Sequence, residues 1–166
     1  VMGNQNPSAP YFTRGTGHDE YGNYSEDPGN WAAMIRRIKR KLDNSCEYLP
    51  EPIIRGKPNA RIGIIAMGST DPALIEAQDQ LEEAGIPADY LRVRALPSCS
   101  QVREFLEAHE RVYVVELNRD GQLFGILQQE QHELSPKLIS LAEVDGLPMT
   151  AIWVREQILA KEQQHG

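Results

Sequence analysis

The densest group of residues able to do chemistry lies near the start of the chain, where Arg14 is followed by the consecutive His18, Asp19 and Glu20. Imidazole and carboxylates are metal ligands and proton carriers, so the group has two interpretations. One is a metal site, although neighbours on an extended chain point to opposite sides and are poorly spaced for one ion. The other is a His–carboxylate network that orders this segment, and the spacing favours it.

A second polar group spans residues 118–122 and contains Asn118, Arg119, Asp120 and Gln122. It follows the most strand-like segment of the chain, RVYVVEL at residues 111–117. Side chains at the carboxyl end of a buried strand are well placed to bind a ligand. The group therefore predicts a ligand site or a subunit contact, with simple capping of the next helix as the alternative.

A third group lies at residues 68–72, where Ser69, Thr70 and Asp71 follow a short apolar run. Such a loop could direct backbone amides at an anion at a helix start. It carries neither GxGxxG nor GxxxxGK[ST], so no dinucleotide or P-loop site is indicated. Thr70 or Asp71 acting as a plain helix N-cap explains the same letters.

The cysteines and the other histidines do not indicate a catalytic nucleophile or a thiolate metal site. Cys46 and Cys99 belong to no CxxC pattern, which excludes a four-thiolate iron–sulfur or zinc site within this chain alone. Three further histidines, His109, His132 and His165, are scattered and are expected to be solvated. We predict no catalytic residues and no metal site in this chain.

The elements that position these groups alternate between strand and helix from residue 60 onward. Strands are predicted at residues 62–67, 88–94, 111–117 and 137–141, and amphipathic helices follow each of them. This alternation is typical of βαβ crossovers in a mostly parallel sheet. We therefore predict a three-layer α/β domain over residues 60–166, with helices on both faces of the sheet.

Residues 1–59 are predicted to precede that domain as an arm, a helix and a linker. The arm, residues 1–28, is rich in Gly and Pro yet holds four of the nine Tyr and Phe residues, so we expect it to lie against a surface. A helix begins at Pro28 and runs to about residue 44, with one apolar stripe and many basic residues. That basic face is either solvated or meets an acidic partner. Residues 45–60 read as a linker.

Charge and hydropathy exclude several classes of protein. The chain has 166 residues and a net charge of −7, and residues 61–166 carry 9 basic against 17 acidic side chains. Such an acidic body repels phosphate backbones, so we expect no nucleic-acid partner. The sequence has no membrane-spanning apolar run, and its first ten residues do not resemble a secretory leader. We expect a soluble, cytoplasmic protein that does not bind membranes.

Two stretches of the sequence resemble a known family. The arm reads G-x-x-H-D-E-Y-G-x-x-x-E-D-P, and residues 116–123 read E-x-N-x-x-G-Q-L. Together with RIGIIAMGST and RVRALP, in this order, they resemble the C-terminal part of the alpha subunit of 2-oxoacid:ferredoxin oxidoreductases. The resemblance covers about residues 9 to 145.

The resemblance implies a transketolase C-terminal-like fold, whose sheet is mostly parallel with one antiparallel edge strand. The whole enzyme would convert a 2-oxoacid, 2-oxoglutarate being our preferred choice, and coenzyme A to acyl-CoA and CO2 while reducing ferredoxin. Thiamine diphosphate, magnesium and an iron–sulfur cluster would be bound by other parts of the enzyme. The partners implied are other alpha-subunit domains, the beta subunit and ferredoxin, with a homodimer left open.

Our hypothesis from the sequence is that this chain is silent alone and serves assembly, with the arm and the loop at residues 118–122 facing neighbouring domains. The alternative is a flavodoxin-like module that binds a small anion through Ser69, Thr70 and Asn118.

Overall fold

The computed structural model describes residues 3–7, 9 and 17–165. The chain divides after Glu47 into two compact units. The predicted arm residues Tyr11, Phe12 and Arg14 lie outside the described residues. Within the described residues, no helix is both long and apolar enough to cross a bilayer.

The first unit contains the predicted amphipathic helix, α1, at Pro28–Asp43. The Asp27 side chain caps it by accepting a hydrogen bond from the Asn30 amide at 2.6 Å, and Pro28 occupies the first turn. Arg40 and Lys41 lie in the last turn, where positive charge interacts favourably with the helix dipole. A single 3-10 turn at Ser45–Glu47 ends the unit.

Within the predicted arm, residues 17–25 form a small hairpin. His18 and Tyr24 form an antiparallel bridge, and the Ser25 amide donates to the Gly17 carbonyl at 3.1 Å. The hairpin packs closely on the start of α1. Gly17 is so near the Trp31 ring that an added Cβ would lie 2.9 Å from it. The Asn30 side chain also donates to the His18 carbonyl at 3.0 Å. This part of the arm therefore lies against a surface of its own unit, one of the two alternatives that its aromatic content suggests.

The second unit is built on a five-stranded sheet in the order β1-β3-β2-β4-β5. The strands are β1 Ile53–Arg55, β2 Ile62–Met67, β3 Ala88–Val93, β4 Arg111–Glu116 and β5 Leu138–Ala142. All neighbouring pairs among β2 to β5 are parallel, whereas β1 pairs with β3 antiparallel. The mostly parallel α/β sheet is confirmed, and so is the antiparallel edge strand implied by the family resemblance.

Four helices cover the sheet: α2 Asp71–Glu83, α3 Ser100–Ala108, α4 Gln122–Glu130 and α5 Ala151–His165. One apolar cluster joins α2 and α5 to the sheet through residues such as Leu74, Leu81, Val154 and Ile158. A second cluster joins α3 and α4 to the sheet through Phe105, Leu106, Leu123 and Leu127. The three-layer arrangement with helices on both faces is confirmed.

Strand β1 lies inside the stretch of residues 45–60 that we predicted to be a linker. It is only three residues long and exposed throughout, so no buried alternation marks it in the sequence. Its attachment depends on Gln78 of α2, a buried side chain whose amide donates to the Arg55 carbonyl at 2.9 Å and the Ala88 carbonyl at 2.8 Å. The sheet therefore begins before residue 60, where the sequence places the domain boundary.

Candidate functional site at the carboxyl edge of the sheet

The carboxyl ends of β2 and β4 meet at the point where the chain reverses its direction of travel across the sheet. From β2 the chain continues to β3 on one side, whereas β4 lies on the other side of β2. Ligands of open α/β sheets bind in the crevice at such a switch point. A cleft of about 420 Å³ lies here, lined by residues of both strand ends and of α4, including Ser69, Thr70, Asn118 and Gln122.

Glu116, the last residue of β4, dominates the chemistry of this cleft. Its carboxylate is buried and accepts hydrogen bonds from the Leu123 amide at 2.6 Å and the Phe124 amide at 3.0 Å. It also accepts one from the Asn118 side-chain amide at 2.9 Å. The first-turn amides of α4, which could otherwise bind an anion, therefore already hold a carboxylate of the chain itself.

Asn118 organises the loop between β4 and α4. Its side-chain oxygen accepts hydrogen bonds from the Gly121 amide at 2.8 Å and the Asp120 amide at 3.1 Å. Gly121 has a φ of 63°, and a Cβ there would lie 2.9 Å from the Ser140 hydroxyl oxygen. The polar side chains of this loop thus stabilise the loop itself and the start of α4. Gln122 has an exposed side chain at the mouth of the cleft.

The loop at residues 68–72 does not cap α2 with a side chain. The Thr70 hydroxyl, which is buried, donates to the Met67 carbonyl at 3.0 Å. The Asp71 carboxylate accepts from the Tyr90 hydroxyl at 2.9 Å and from the Arg92 guanidinium at 3.1 Å. Thr70 does occupy the predicted N-cap position of α2, but its side chain makes no capping hydrogen bond, and Asp71 is the first residue of the helix. Burial, reinforced by the bond to Asp71, raises the pKa of Tyr90.

Much of the carboxyl edge around these polar groups is apolar. A second cleft of about 670 Å³ shares Ser69, Thr70 and Leu117 with the first and extends to the loop at residues 143–149. Several large apolar side chains are exposed at the two clefts, namely Met67, Leu117, Ile126, Val144 and Leu147. Exposed apolar surface of this kind is typical of a surface that another protein segment covers.

The residues predicted to form one cluster in the arm, His18, Asp19 and Glu20, have different surroundings in the hairpin. His18 donates from Nδ1 to the Asp19 backbone carbonyl at 2.8 Å, not to a carboxylate. The Asp19 carboxylate accepts from the backbone amides of Tyr21 and Asn23, both at 2.9 Å, and so closes the hairpin turn. The predicted His–carboxylate network is therefore replaced by an Asp19 turn, with Glu20 exposed beside it.

We expect the hairpin to loosen at acid pH because of Asp19. Hydrogen bonds from the Asn23 amide, the Asn23 side chain and the Tyr21 amide lower the pKa of Asp19. A carboxyl whose pKa is lower in the folded state stabilises that state above its unfolded pKa, near 3.8, and loses this contribution as pH falls further. NMR titration of the Asn23 amide checks this, with Asp19→Asn as the control that abolishes the transition. An unchanged Asn23 signal down to the lowered pKa would contradict it.

Metal-ligating side chains do not converge anywhere in the part of the chain that the structure describes. No group of three or more His, Cys, Asp or Glu side chains has the geometry to hold a metal ion among these residues. The thiols of Cys46 and Cys99 belong to different units. The described residues therefore offer no thiolate set for an iron–sulfur cluster.

His109 is buried, in contrast to the prediction that it is solvated. Its ring contacts Phe105, Nδ1 lies 2.7 Å from the Phe105 carbonyl oxygen, and Nε2 lies 3.1 Å from the Asp89 carboxylate. The sequence did contain a sign of this, since His109 follows the apolar residues Val102 and Phe105 at helical spacing, directly after the last residue of α3. Asp89 lies near the start of β3, so this network is at the opposite edge of the sheet from the clefts.

No protein-family model matches the sequence. Among curated proteins, the chain is 32% identical over 147 residues to 2-oxoacid:ferredoxin oxidoreductase 2, subunit alpha, from Aeropyrum pernix, covering 86% of this chain and 23% of that protein. It is 29% identical over 168 residues to the corresponding alpha subunit from Saccharolobus solfataricus, covering 95% of this chain and 26% of that protein. The chain thus spans about a quarter of the length of these relatives.

Two solved structures share the fold. A 2-oxoglutarate:ferredoxin oxidoreductase from Magnetococcus marinus, with 2-oxoglutarate, coenzyme A and succinyl-CoA bound, superposes with a TM-score of 0.77 at 24% identity, covering 94% of this chain and 27% of that one. The inactive beta4 tetramer of a split-gene transketolase superposes with a TM-score of 0.56 at 19% identity, covering 66% of this chain and 40% of that one. At these identities the two structures establish the transketolase-like architecture.

Proposed function

This chain belongs to the family of 2-oxoacid:ferredoxin oxidoreductase alpha subunits, and from that premise we propose that it is the C-terminal domain of such a subunit. The whole cytoplasmic enzyme would decarboxylate a 2-oxoacid, transfer the acyl group to coenzyme A and reduce ferredoxin. The preference for 2-oxoglutarate is supported by the substrate bound in the Magnetococcus marinus structure. Thiamine diphosphate, magnesium and the iron–sulfur cluster would be held by other domains and the beta subunit.

Within that enzyme we assign this domain to assembly and active-site support. The observation that carries the assignment is the Glu116 carboxylate, which occupies the amides of α4 at the switch point. A cleft whose anion-binding amides are filled from within, and whose rim exposes apolar side chains, suits a protein neighbour better than a charged substrate. The arm and the loop at residues 118–122 would face neighbouring domains.

A second candidate is a flavodoxin-like module that binds a small anion, favoured by the location of the 420 Å³ cleft at the switch point. Ser69 and Gln122 would be the contacts, since the Asn118 side chain is engaged within the loop. Calorimetry with coenzyme A, nucleotides and 2-oxoacids separates the two functions. Micromolar binding by this chain alone would favour the module.

The proposed function is tested by viologen reduction. We expect the purified chain, given 2-oxoglutarate, thiamine diphosphate, magnesium and coenzyme A, to show no turnover. The alpha subunit that contains it, assembled with its beta subunit, is expected to reduce the dye, and faster with 2-oxoglutarate than with pyruvate. Turnover by the chain alone would refute the assignment to assembly.

Variants of the assembled enzyme test the role of the cleft. Leu117→Asp places a charge on the apolar rim and is expected to weaken association of the subunit with its neighbours and lower activity at least tenfold. Ile53→Asp on β1 is the matched control, because Ile53 is as exposed as Leu117, at 42% against 40%, but lies outside both clefts. Equal effects of the two substitutions would contradict a specific role for the cleft.

A further inference from the structure

Helix α1 carries an apolar stripe that the proposed function does not use. Trp31, Ile35, Ile38 and Leu42 follow each other at spacings of four, three and four residues. This is the heptad spacing by which one helix packs along another. The four side chains remain between 46% and 56% exposed, and α1 has no buried residue. The hairpin contacts one part of the Trp31 ring, and about half of the surface of each of the four residues remains exposed to a partner.

The charges beside the stripe define the partner. Lys39 and Lys41 flank it in the heptad register, and Arg36, Arg37 and Arg40 lie further round the helix. Within the described residues, Lys39 pairs with Asp43, whereas the other four basic side chains of α1 form no ion pair. Two copies of α1 packed together would bring lysines against lysines, which is unfavourable. The stripe therefore suits an apolar surface with acidic neighbours.

The second unit presents such a surface at the loop between β5 and α5. Val144 and Leu147 are each 62% exposed, on either side of a turn closed by a hydrogen bond from the Leu147 amide to Asp145 and by Gly146 at a φ of 80°. Glu143 lines the same cleft, and Glu76 and Ile152 line an adjoining one. We name the residues Glu76, residues 143–147 and Ile152 the acidic rim.

The acidic rim has uncompensated negative charge. Among the described residues, Glu76, Glu143 and Asp145 form no ion pair with any basic side chain. Their apolar neighbours are exposed, with Ile152 at 54%. Both surfaces expose apolar side chains. The acidic rim carries negative charge and α1 carries positive charge, so the two surfaces are complementary.

We propose that α1 of one copy of this chain docks on the acidic rim of a second copy, and that the second copy returns the contact. A stable interface buries about 1,600 Å² in total. One four-residue stripe is small for this purpose, whereas a two-fold axis doubles the contact and closes the assembly as a dimer. The proposal bears on the proposed function, because Glu143, Val144 and Leu147 line the 670 Å³ cleft assigned there to a protein neighbour, and it makes α1 of the second copy that neighbour.

Exchanging the charges tests the dimer directly by sedimentation velocity of the purified full chain. We expect the wild-type chain to be a dimer that dissociates as salt is raised. The variant Lys39→Glu/Lys41→Glu and the variant Glu76→Lys/Glu143→Lys are each expected to raise the dimer Kd at least tenfold, because like charges then meet. An equimolar mixture of the two restores opposite charges at both contacts and is expected to form a heterodimer.

A second pair of variants tests the apolar contact. Ile38→Asp is expected to give a monomer, whereas Arg40→Gln, which lowers the net charge by the same one unit but on the opposite side of α1, is expected to remain dimeric. Circular dichroism of both variants checks that the helix persists.

Three results would overturn the proposal: a wild-type monomer at every concentration, a mixture of the charge variants that stays monomeric, or equal behaviour of Ile38→Asp and Arg40→Gln. Binding of the wild-type chain to phosphatidylserine vesicles without self-association would instead assign the stripe to a lipid surface.

Discussion

Replacing Gly63 with alanine is expected to lower the free energy of unfolding by about 1–3 kcal/mol, the usual cost of overfilling a packed core. Gly63 lies in the central strand β2, where an added Cβ would be 2.5 Å from Cε1 and 2.8 Å from Cζ of Phe105, and 3.3 Å from the ring of His109. Phe105 is itself buried and in contact with His109, so its ring has little room to move. Urea denaturation measures the loss.

Two further variants make this prediction specific. Phe105→Leu shortens the obstructing side chain, so the double variant Gly63→Ala/Phe105→Leu is expected to lose less stability than the sum of the two single variants. Gly125→Ala is the matched control, because Gly125 lies within α4 with nothing within 4 Å of an added Cβ. A helical Gly→Ala change of this kind stabilises by about 0.5–1 kcal/mol. A neutral Gly63→Ala variant would contradict the packing described for this strand.

Replacing Glu116 with glutamine is expected to lower the free energy of unfolding by about 1.5–3 kcal/mol, the range for hydrogen bonds to a charged group. The glutamine amide keeps the shape of the side chain but sets an N–H group against the amides of Leu123 or Phe124. The negative charge at the start of α4, which interacts favourably with the helix dipole, is also lost. Thermal or urea unfolding measures the change.

Glu104→Gln is the control for the Glu116 variant, since Glu104 is an exposed residue of α3 and its replacement is expected to change stability by less than about 0.5 kcal/mol. Amide exchange adds a local readout. We expect the Leu123 and Phe124 amides to exchange faster in Glu116→Gln, while the α2 amides keep their relative protection. A variant as stable as the wild type, with unchanged exchange at α4, would show that Glu116 does not hold this helix.

The strands and helices of the second unit could be predicted because their sequence patterns reflect burial. Residues 62–66 and 112–115 are largely β-branched runs, and the structure buries them in the centre of the sheet. Glycine at 85 follows the last turn of α2 with a φ of 82°, as its type predicts. Parallel order also followed from the alternation, since strands separated by helices pair in parallel.

What could not be predicted depends on contacts between distant residues. Strand β1 is bonded to Gln78, which lies 23 positions further along the chain from Arg55. The sequence around β1 contains prolines and the strand is exposed, so no local pattern predicts it. His109 is buried because Asp89, 20 positions earlier, lies beside it. No local spacing contains either partner.

At residues 118–122 the sequence singles out the polar residues correctly but does not reveal their role. The polar residues of this loop could serve a ligand or the fold, and types alone do not distinguish the two. The structure shows Glu116 and Asn118 bonded to the amides of the loop and of α4. In this chain the E-x-N-x-x-G-Q-L motif therefore describes a loop-building network, with its glycine required at a φ of 63°.

Because β1 is short and exposed, we expect it to detach from the sheet before the other strands do. Strand β1 is held by three paired residues, by the amide of Gln78 and by hydrogen bonds of the flanking Glu51 and Lys57, whereas β2 is enclosed between two parallel neighbours. Segments with few buried contacts detach in partial opening events that cost less than global unfolding. The exposed residues of β1 would therefore detach before the other strands and leave a purely parallel four-stranded sheet, in which β3 becomes an edge strand.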